Sequence, residues 1–402
     1  MYWNFFLDFG PLNLGQLYRF CALLNGKLQN PSLKRKVIYY YSGTHAHRRC
    51  NAAFLVSAWS LLYLSRSADD AHKPFASVYP PFPPFHDASP CACTYNLTVI
   101  DCLKGIEKAR MYGFFNFGTF DCDEYEYFEQ VENGDLNWHI HDKILCFAGP
   151  HNTKEVSREG YRTLTPDDYI PYFKKHNVKL VIRLNKKYYD EGKFINAGIN
   201  HLEQYYLDGS VPPIRILKKV LAAIDSVVSS SGDGGGAVAV HCKAGLGRAG
   251  TCTACWIMKT YRMTAAETIG WMRICRPGSI IGPQQHFLAE MQQQLWHEGD
   301  TARSRPLPAL SQAGGDDDDD DDGGKGDKAA TAMGGKQQQR SLRAGADAGG
   351  VVAGVAAMGL DEAAVGRPGQ SEELRTRRAQ KDSSSPASAS GGGGSSGYFS
   401  RK

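Results

Sequence analysis

The sequence predicts an α/β fold: two tandem units with mainly parallel sheets flanked by helices, an acidic linker helix between them, and a low-complexity tail. Three observations predict it. Short apolar runs alternate with helical patterns through residues 136–300, an order that builds a parallel sheet covered on both faces. An apolar run, a small polar loop and a helix follow one another twice, at 37–64 and at 237–258. From residue 301 the composition collapses to Gly, Ala, Ser, Asp and Gln, which cannot bury a core and reads as disordered.

Composition excludes some functions. Of 402 residues, 42% are hydrophobic, enough for real cores. A net charge of +4 is too small to argue for nucleic acid. The longest apolar run, Ala52–Leu64, falls short of the ~20 residues a membrane span needs. The 11 cysteines are odd in number and scattered, and Met1-Tyr-Trp-Asn lacks a basic leader. That pattern reads as free thiols in a reducing compartment.

Residues 1–120 form the first expected unit. Leu14, Leu17, Tyr18 and Cys21 recur at helical spacing. Val37-Ile-Tyr-Tyr-Tyr41 is β-rich and predicts a strand, followed by a helix over Asn51–Leu64. Pro80–Pro84 predicts a rigid surface loop. Residues 121–135 carry seven carboxylates and no Lys or Arg, and predict an acidic linker helix ending near Asn133-Gly134.

The second unit spans 136–300. Lys143–Phe147 and Val178–Leu184 predict strands with a helix at Asp167–His176 between them. A helix opening at Pro212-Pro213 carries the stripe Ile214, Leu217, Leu221, Ile224 and Val228. Ser229–Gly236 reads as a flexible loop before the strand Ala237–Val240. Thr264-Ala-Ala-Glu267 is a capping box, and Pro283 opens a last helix. In the tail, 301–402, Arg375-Thr-Arg-Arg378 is a weak basic signal and Ser385-Pro386 a candidate modification site.

The chemistry concentrates at His241-Cys-Lys-Ala-Gly-Leu-Gly-Arg-Ala-Gly-Thr251. A strand leads into a Gly-rich loop and then a helix, so loop amides and helix N-terminus converge as an anion cradle. A thiolate is stabilised by the same field. Cys242 is the candidate nucleophile and Arg248 the bidentate clamp on phosphate. Lys243, Ala244, Gly245, Leu246 and Gly247 line the phosphate, and His241 orients the loop. An alkoxide leaving group needs a proton, for which Asp208, on a Gly/Pro-bounded loop, is the candidate. Gln284 and Gln285 have the chemistry to position water. In the earlier copy Tyr41 falls where Cys242 sits, so a weak internal repeat would be catalytically silent there. Cys252 and Cys255 lack a second ligand pair, so no metal is expected, and no cofactor.

His241–Thr251, Trp271–Leu288, Phe5–Leu14, Thr94–Thr98, Asp123–Glu126, Val131–Asp135 and Ile182–Lys186 together resemble the cell-division-cycle fourteen family of dual-specificity phosphatases. The likeness spans about residues 2–300. It implies two tandem phosphatase-like domains, the first inactive, and a metal-free enzyme. The implied partners are phosphoproteins carrying Ser-Pro and a downstream basic residue, with Glu126, Glu129, Glu132 and Asp135 as contacts for that residue. It also implies reversal of cyclin-dependent-kinase marks at mitotic exit and a nuclear and cytoplasmic location, and leaves a homodimer open. One departure stands out: the family usually has Thr or Ser after the loop Arg, and this chain has Ala249. That hydroxyl helps the phosphocysteine break down, so its loss should slow the second step. Two rival readings are a phosphoinositide phosphatase, disfavoured by Leu246 where lipid-cleaving relatives carry a second Lys, and a phosphoprotein-binding pseudophosphatase.

Overall fold

The computed structural model describes residues 2–156, 160–229, 235–304 and 370–384. The first region is helical. Helices α1 (Leu14–Gln29), α2 (Ala46–Tyr63), α3 (Ala68–His72) and α4 (Val99–Met111) succeed one another. Capping boxes at Asn13/Gln16 and Thr98/Asp101 satisfy the first amides of α1 and α4. The expected strand at Val37–Tyr41 is not formed. That segment is coil, with Val37 72% and Tyr39 73% exposed. No neighbouring strand completes it, and β propensity is realised only against such neighbours. Among the described residues before 136, pairing is limited to an isolated bridge between Phe85 and Leu97.

The acidic segment forms helix α5, Cys122–Glu129, shorter than expected. Gln130 leaves the helix in an extended conformation and turns follow to Gly134.

The second region holds one five-stranded sheet: β1 (Leu136–Ile140), β2 (Ile144–Ala148), β3 (Val178–Arg183), β4 (Asn200–Glu203) and β5 (Ala237–Cys242). Its order is β1-β2-β5-β3-β4, and only the β1–β2 pair is antiparallel. β5 is central, with Ala239 opposite Leu145 on one side and Val181 on the other. Every β5 residue is buried. Its side chains alternate: Val238, Val240 and Cys242 join the large core, while Ala237 and Ala239 join a smaller one with Tyr169 and Phe173.

Helices cover both faces. α6 (Pro166–Lys175) and α7 (Gly192–Asn196) supply the smaller core. α8 (Ile214–Val228), α9 (Arg248–Tyr261), α10 (Ala265–Cys275) and α11 (Pro283–Arg303) supply the larger. Trp256 and Trp271, both fully buried there, anchor it, each worth on the order of 2–3 kcal/mol of burial. The capping box at Thr264/Glu267 is present. α4 crosses α10 at glycines. A Cβ on Gly105 would lie 2.5 Å from the Glu267 carbonyl oxygen, and one on Gly270 would lie 2.9 Å from the Cα of Cys102. Backbones this close pin the helical region to the sheet region.

A last helix, α12 (Gln370–Ser384), departs from the expectation of disorder through 301–402. The acidic run Asp316–Asp322, Ser385-Pro386 and most of the Ser229–Gly236 loop lie outside the described residues.

Candidate active site

The loop 243–247 leaves the C-terminal end of the central strand and enters α9. Its conformation is set from outside, carbonyl by carbonyl. The Lys243 oxygen accepts from Gly149 N–H at 2.9 Å, and the Leu246 oxygen from Ile280 N–H at 3.2 Å. The oxygens of Ala244 and Gly245 accept from the Arg276 guanidinium at 2.9 and 2.8 Å. In a trans peptide the C=O and N–H point opposite ways. The amides of Ala244 through Gly247 are thereby turned away from these donors, into the concavity of the loop. Gly245 has φ +66°, and a Cβ there would sit 2.0 Å from the Phe147 carbonyl oxygen, so only glycine fits. The first amides of α9 have no side-chain cap and add their partial positive charge to the same space.

Cys242 is buried at the head of this loop. His241 is buried too. Its Nε2 meets the Tyr189 hydroxyl at 2.7 Å and its Nδ1 meets the Cys242 carbonyl oxygen at 3.0 Å. Burial drives its pKa down to about 3, against the smaller opposing pull of that carbonyl. The imidazole is therefore neutral and serves geometry, not charge. Behind it, Arg183 donates to the Tyr189 carbonyl oxygen at 3.0 Å and pairs with Glu203 at 2.9 Å.

Arg248, the first residue of α9, reaches across to the segment bearing Asp208. Its Nη1 donates to the Tyr206 carbonyl oxygen at 3.0 Å, and its Nη2 lies 3.1 Å from Asp208 Oδ1. The Tyr206 hydroxyl donates back to the Arg248 carbonyl oxygen at 3.0 Å. The loop after Cys242, Arg248 and Asp208 thus converge. Gln284 joins them: a Cβ on Gly247 would lie 3.1 Å from its side chain, and its Nε2 donates to the Ser210 carbonyl oxygen at 3.1 Å. Gln285 is held elsewhere, accepting from Arg273 at 2.7 Å and donating to Asp87 at 3.2 Å. Ala249 is buried at the start of α9, and the Thr251 hydroxyl donates to the Gly247 carbonyl oxygen at 2.8 Å. Cys252 and Cys255 are buried along α9.

The four carboxylates of the acidic segment do not share one open row. Glu126 pairs with Arg19 at 2.6 Å. Glu129 is buried against the Asn13 amide at 3.1 Å, and Glu132 is exposed. Asp135 is buried between Arg276 at 2.8 Å and Arg378 at 2.9 Å. Burial raises its pKa, but Arg378 and Arg276 outweigh that and hold it below the usual carboxylate range.

Sequence reasoning missed Arg276, Tyr206, Tyr189 and Asp87. Arg276 left one signal, a second arginine three residues after Arg273 at the end of Trp271-Met-Arg-Ile-Cys-Arg276. Asp87 left none. It comes from the first region, and its Oδ2 accepts from Gly282 N–H at 2.6 Å as well as from Gln285.

Residues 1–109 match the family described as dual specificity protein phosphatase, N-terminal half, and residues 166–295 match the dual specificity phosphatase catalytic domain. Dual specificity protein phosphatase CDC14A of Homo sapiens is 51% identical over 306 residues, covering 76% of this chain and 50% of that one. Tyrosine-protein phosphatase cdc-14 of Caenorhabditis elegans is 44% identical over 302 residues, 73% of this chain and 41% of that one. A solved structure described as "Crystal structure of Tk-PTP in the active form" is 20% identical with a TM-score of 0.31, covering 38% of this chain and 92% of that one. The chain spans about half the length of the first of these curated relatives.

Proposed function

Because the chain belongs to the CDC14 family of dual-specificity phosphatases, we propose that it hydrolyses phosphoserine and phosphothreonine at Ser-Pro-type sites, and phosphotyrosine, through a phosphocysteine on Cys242. The observation that carries this reading is the loop whose four successive carbonyls, 243–246, are held from outside. Four inward amides ending at a helix N-terminus are built for a dianionic oxyanion.

In the first step the Cys242 thiolate attacks phosphorus. The S–P bond forms as the P–O bond breaks, and the leaving oxygen takes the proton of Asp208. Arg248 grips two equatorial oxygens and neutralises charge as it spreads. In the second step water attacks phosphorus, Asp208 takes back a proton, and Cys242 departs as thiolate. Gln284, which borders both the loop and the segment of Asp208, positions that water; Gln285 supports its turn. His241, held between the Tyr189 hydroxyl and the Cys242 carbonyl oxygen, fixes the angle of the loop head. The downstream basic residue of a substrate docks beside Glu129 and Asp135, while Glu126 and Glu132 set the potential of the approach. Cell-cycle substrates of proline-directed kinases, in nucleus and cytoplasm, fit this specificity.

The release step is the weak one. Ala249 offers no hydroxyl to the departing thiolate, and the hydroxyl of Thr251 is committed to Gly247. Phosphopeptides varying Ser/Thr/Tyr, the following Pro and a downstream Lys test the substrate class. Expected is a preference of about tenfold or more for Ser-Pro with downstream Lys. Phosphate released from phosphoinositides but from none of the peptides would overturn it.

A further inference from the structure

The turn before α11 is strained, and part of what holds it comes from the first region. Ile280 is β-branched and fully buried, yet has φ +65°, a conformation such a residue keeps only where its surroundings impose it. Three groups impose it. The Ile280 N–H donates to the Leu246 carbonyl oxygen at 3.2 Å. Arg273, 3% exposed, donates to the carbonyl oxygens of Ser279 at 3.1 Å and Ile280 at 2.8 Å. Asp87, 1% exposed, accepts from Gly282 N–H at 2.6 Å and from the Gln285 amide at 3.2 Å. Leu246 and Arg273 belong to the second region, whereas Asp87 crosses from the first.

Asp87 is itself firmly seated. Its other carboxylate oxygen accepts from the Ser89 hydroxyl at 2.8 Å. Phe85, two residues before it, is buried and donates its N–H to the Leu97 carbonyl oxygen at 2.7 Å. Ala88, next to it, shares an apolar cluster with Leu246 and Ile281. What hangs on the turn is Gln284. Its Oε1 accepts from Ile281 N–H at 3.1 Å, inside the turn, while its Nε2 reaches the Ser210 carbonyl oxygen. The loop 243–247 depends on the turn less, because the carbonyls of Lys243, Ala244 and Gly245 are held by Gly149 and Arg276. A shift of the turn therefore moves Gln284 more than it moves the cradle. We propose that Asp87 is a positioning residue for the release step: through the turn at 279–282 it sets Gln284, so that the first region governs how fast water reaches the phosphocysteine. The inference rests on the phosphatase reading of Cys242 and Gln284.

The test is rapid-quench kinetics of the full chain with a Ser-Pro phosphopeptide, comparing the parent with Asp87→Ala, Asp87→Asn and Ser89→Ala. Asp87→Ala is expected to slow phosphocysteine decay about tenfold and to leave its formation within about twofold, since a small misplacement costs most where a reactant must be held in line. Asp87→Asn, which keeps an acceptor for Gly282 N–H, restores the parent decay. Ser89→Ala loosens Asp87 without removing it and slows decay about twofold, which covers the case of an Asp87→Ala chain that does not fold. With glycerol present, Asp87→Ala passes a larger share of the phosphoryl group to the alcohol than the parent does, because water that is no longer held competes less well. Parent-like decay in Asp87→Ala, or in Ser89→Ala should Asp87→Ala not fold, would overturn the proposal. Equal slowing of formation and decay would also overturn it, as would a lowered Tm with both rates intact, which marks a brace between the regions. If the parent forms no phosphocysteine, the phosphatase reading falls and the proposal with it; if the parent forms it and the variants leave its decay unchanged, the proposal alone falls.

Discussion

Residues 37–63 and 237–261 follow the same local script and end as different structures. Both place a β-rich run before a small polar loop and a helix. The second run becomes β5, wholly buried between β2 and β3. The first stays an exposed coil behind Lys34-Arg35-Lys36, with its helix start at His45 lacking any side-chain cap. The lesson is that an anion cradle is not made by the loop. It is made by donors that hold the loop's carbonyls, and those come from Gly149, Ile280 and Arg276. Residues 42–45 have no such set around them among the described contacts. The first region instead contributes support: Asp87 steadies the turn before α11, and α4 packs backbone to backbone on α10.

That contrast can be broken most sharply at the nucleophile. Cys242→Ser should cost at least about 10⁴-fold in turnover. Adding Tyr41→Cys should restore nothing; recovery of activity would place a working cradle in the first region. Next in size is Arg276→Ala. It removes the donors of two loop carbonyls and leaves Asp135 buried beside Arg378 alone. A loss of about 10²-fold in kcat/KM, roughly 3 kcal/mol of transition-state stabilisation, is expected, with partial recovery in Arg276→Lys. A lowered Tm with kcat/KM intact would reduce Arg276 to scaffold.

The smallest effect is in pH. His139 and His241 lie on β1 and β5, and burial drives both pKa values down to about 3. An unfolded histidine titrates near 6.5, so below that the unfolded chain binds more protons than the folded one. The stability these neutral rings permit is full above pH 6.5 and is lost as pH falls toward 3, at on the order of 1 kcal/mol per histidine per pH unit. Hydrogen exchange between pH 6.5 and 4.5 should therefore show the sheet core loosening before α1 and α2. Equal loosening of the two regions would contradict the assignment.

Much of the second region was legible because its information is local. The strand before Cys242, the capping box at Thr264 and the stripe of α8 each declare themselves within a few residues. Cys242, Arg248 and Asp208 were singled out as types at a spacing, and the structure brings Arg248 and Asp208 to 3.1 Å. Val37–Tyr41 was misread because β propensity reports fit to neighbours that the segment does not have. The roles of Arg276 and Asp87 were not legible because their partners are far away in sequence. α12 was illegible for another reason: its sequence is flanked by low-complexity composition, and Leu374 is buried in an apolar cluster with residues far away in sequence.

The central claim is that the loop at 242–248 carries out phosphoryl transfer to sulfur and that Ala249 makes release slow. Rapid-quench kinetics with mass mapping of Cys242 tests it most directly. A burst of phosphocysteine followed by slower steady turnover is expected, with Ala249→Thr raising the steady rate about tenfold and shrinking the accumulated adduct. No burst, an adduct on another residue, or an Ala249→Thr variant no faster than the parent would contradict it.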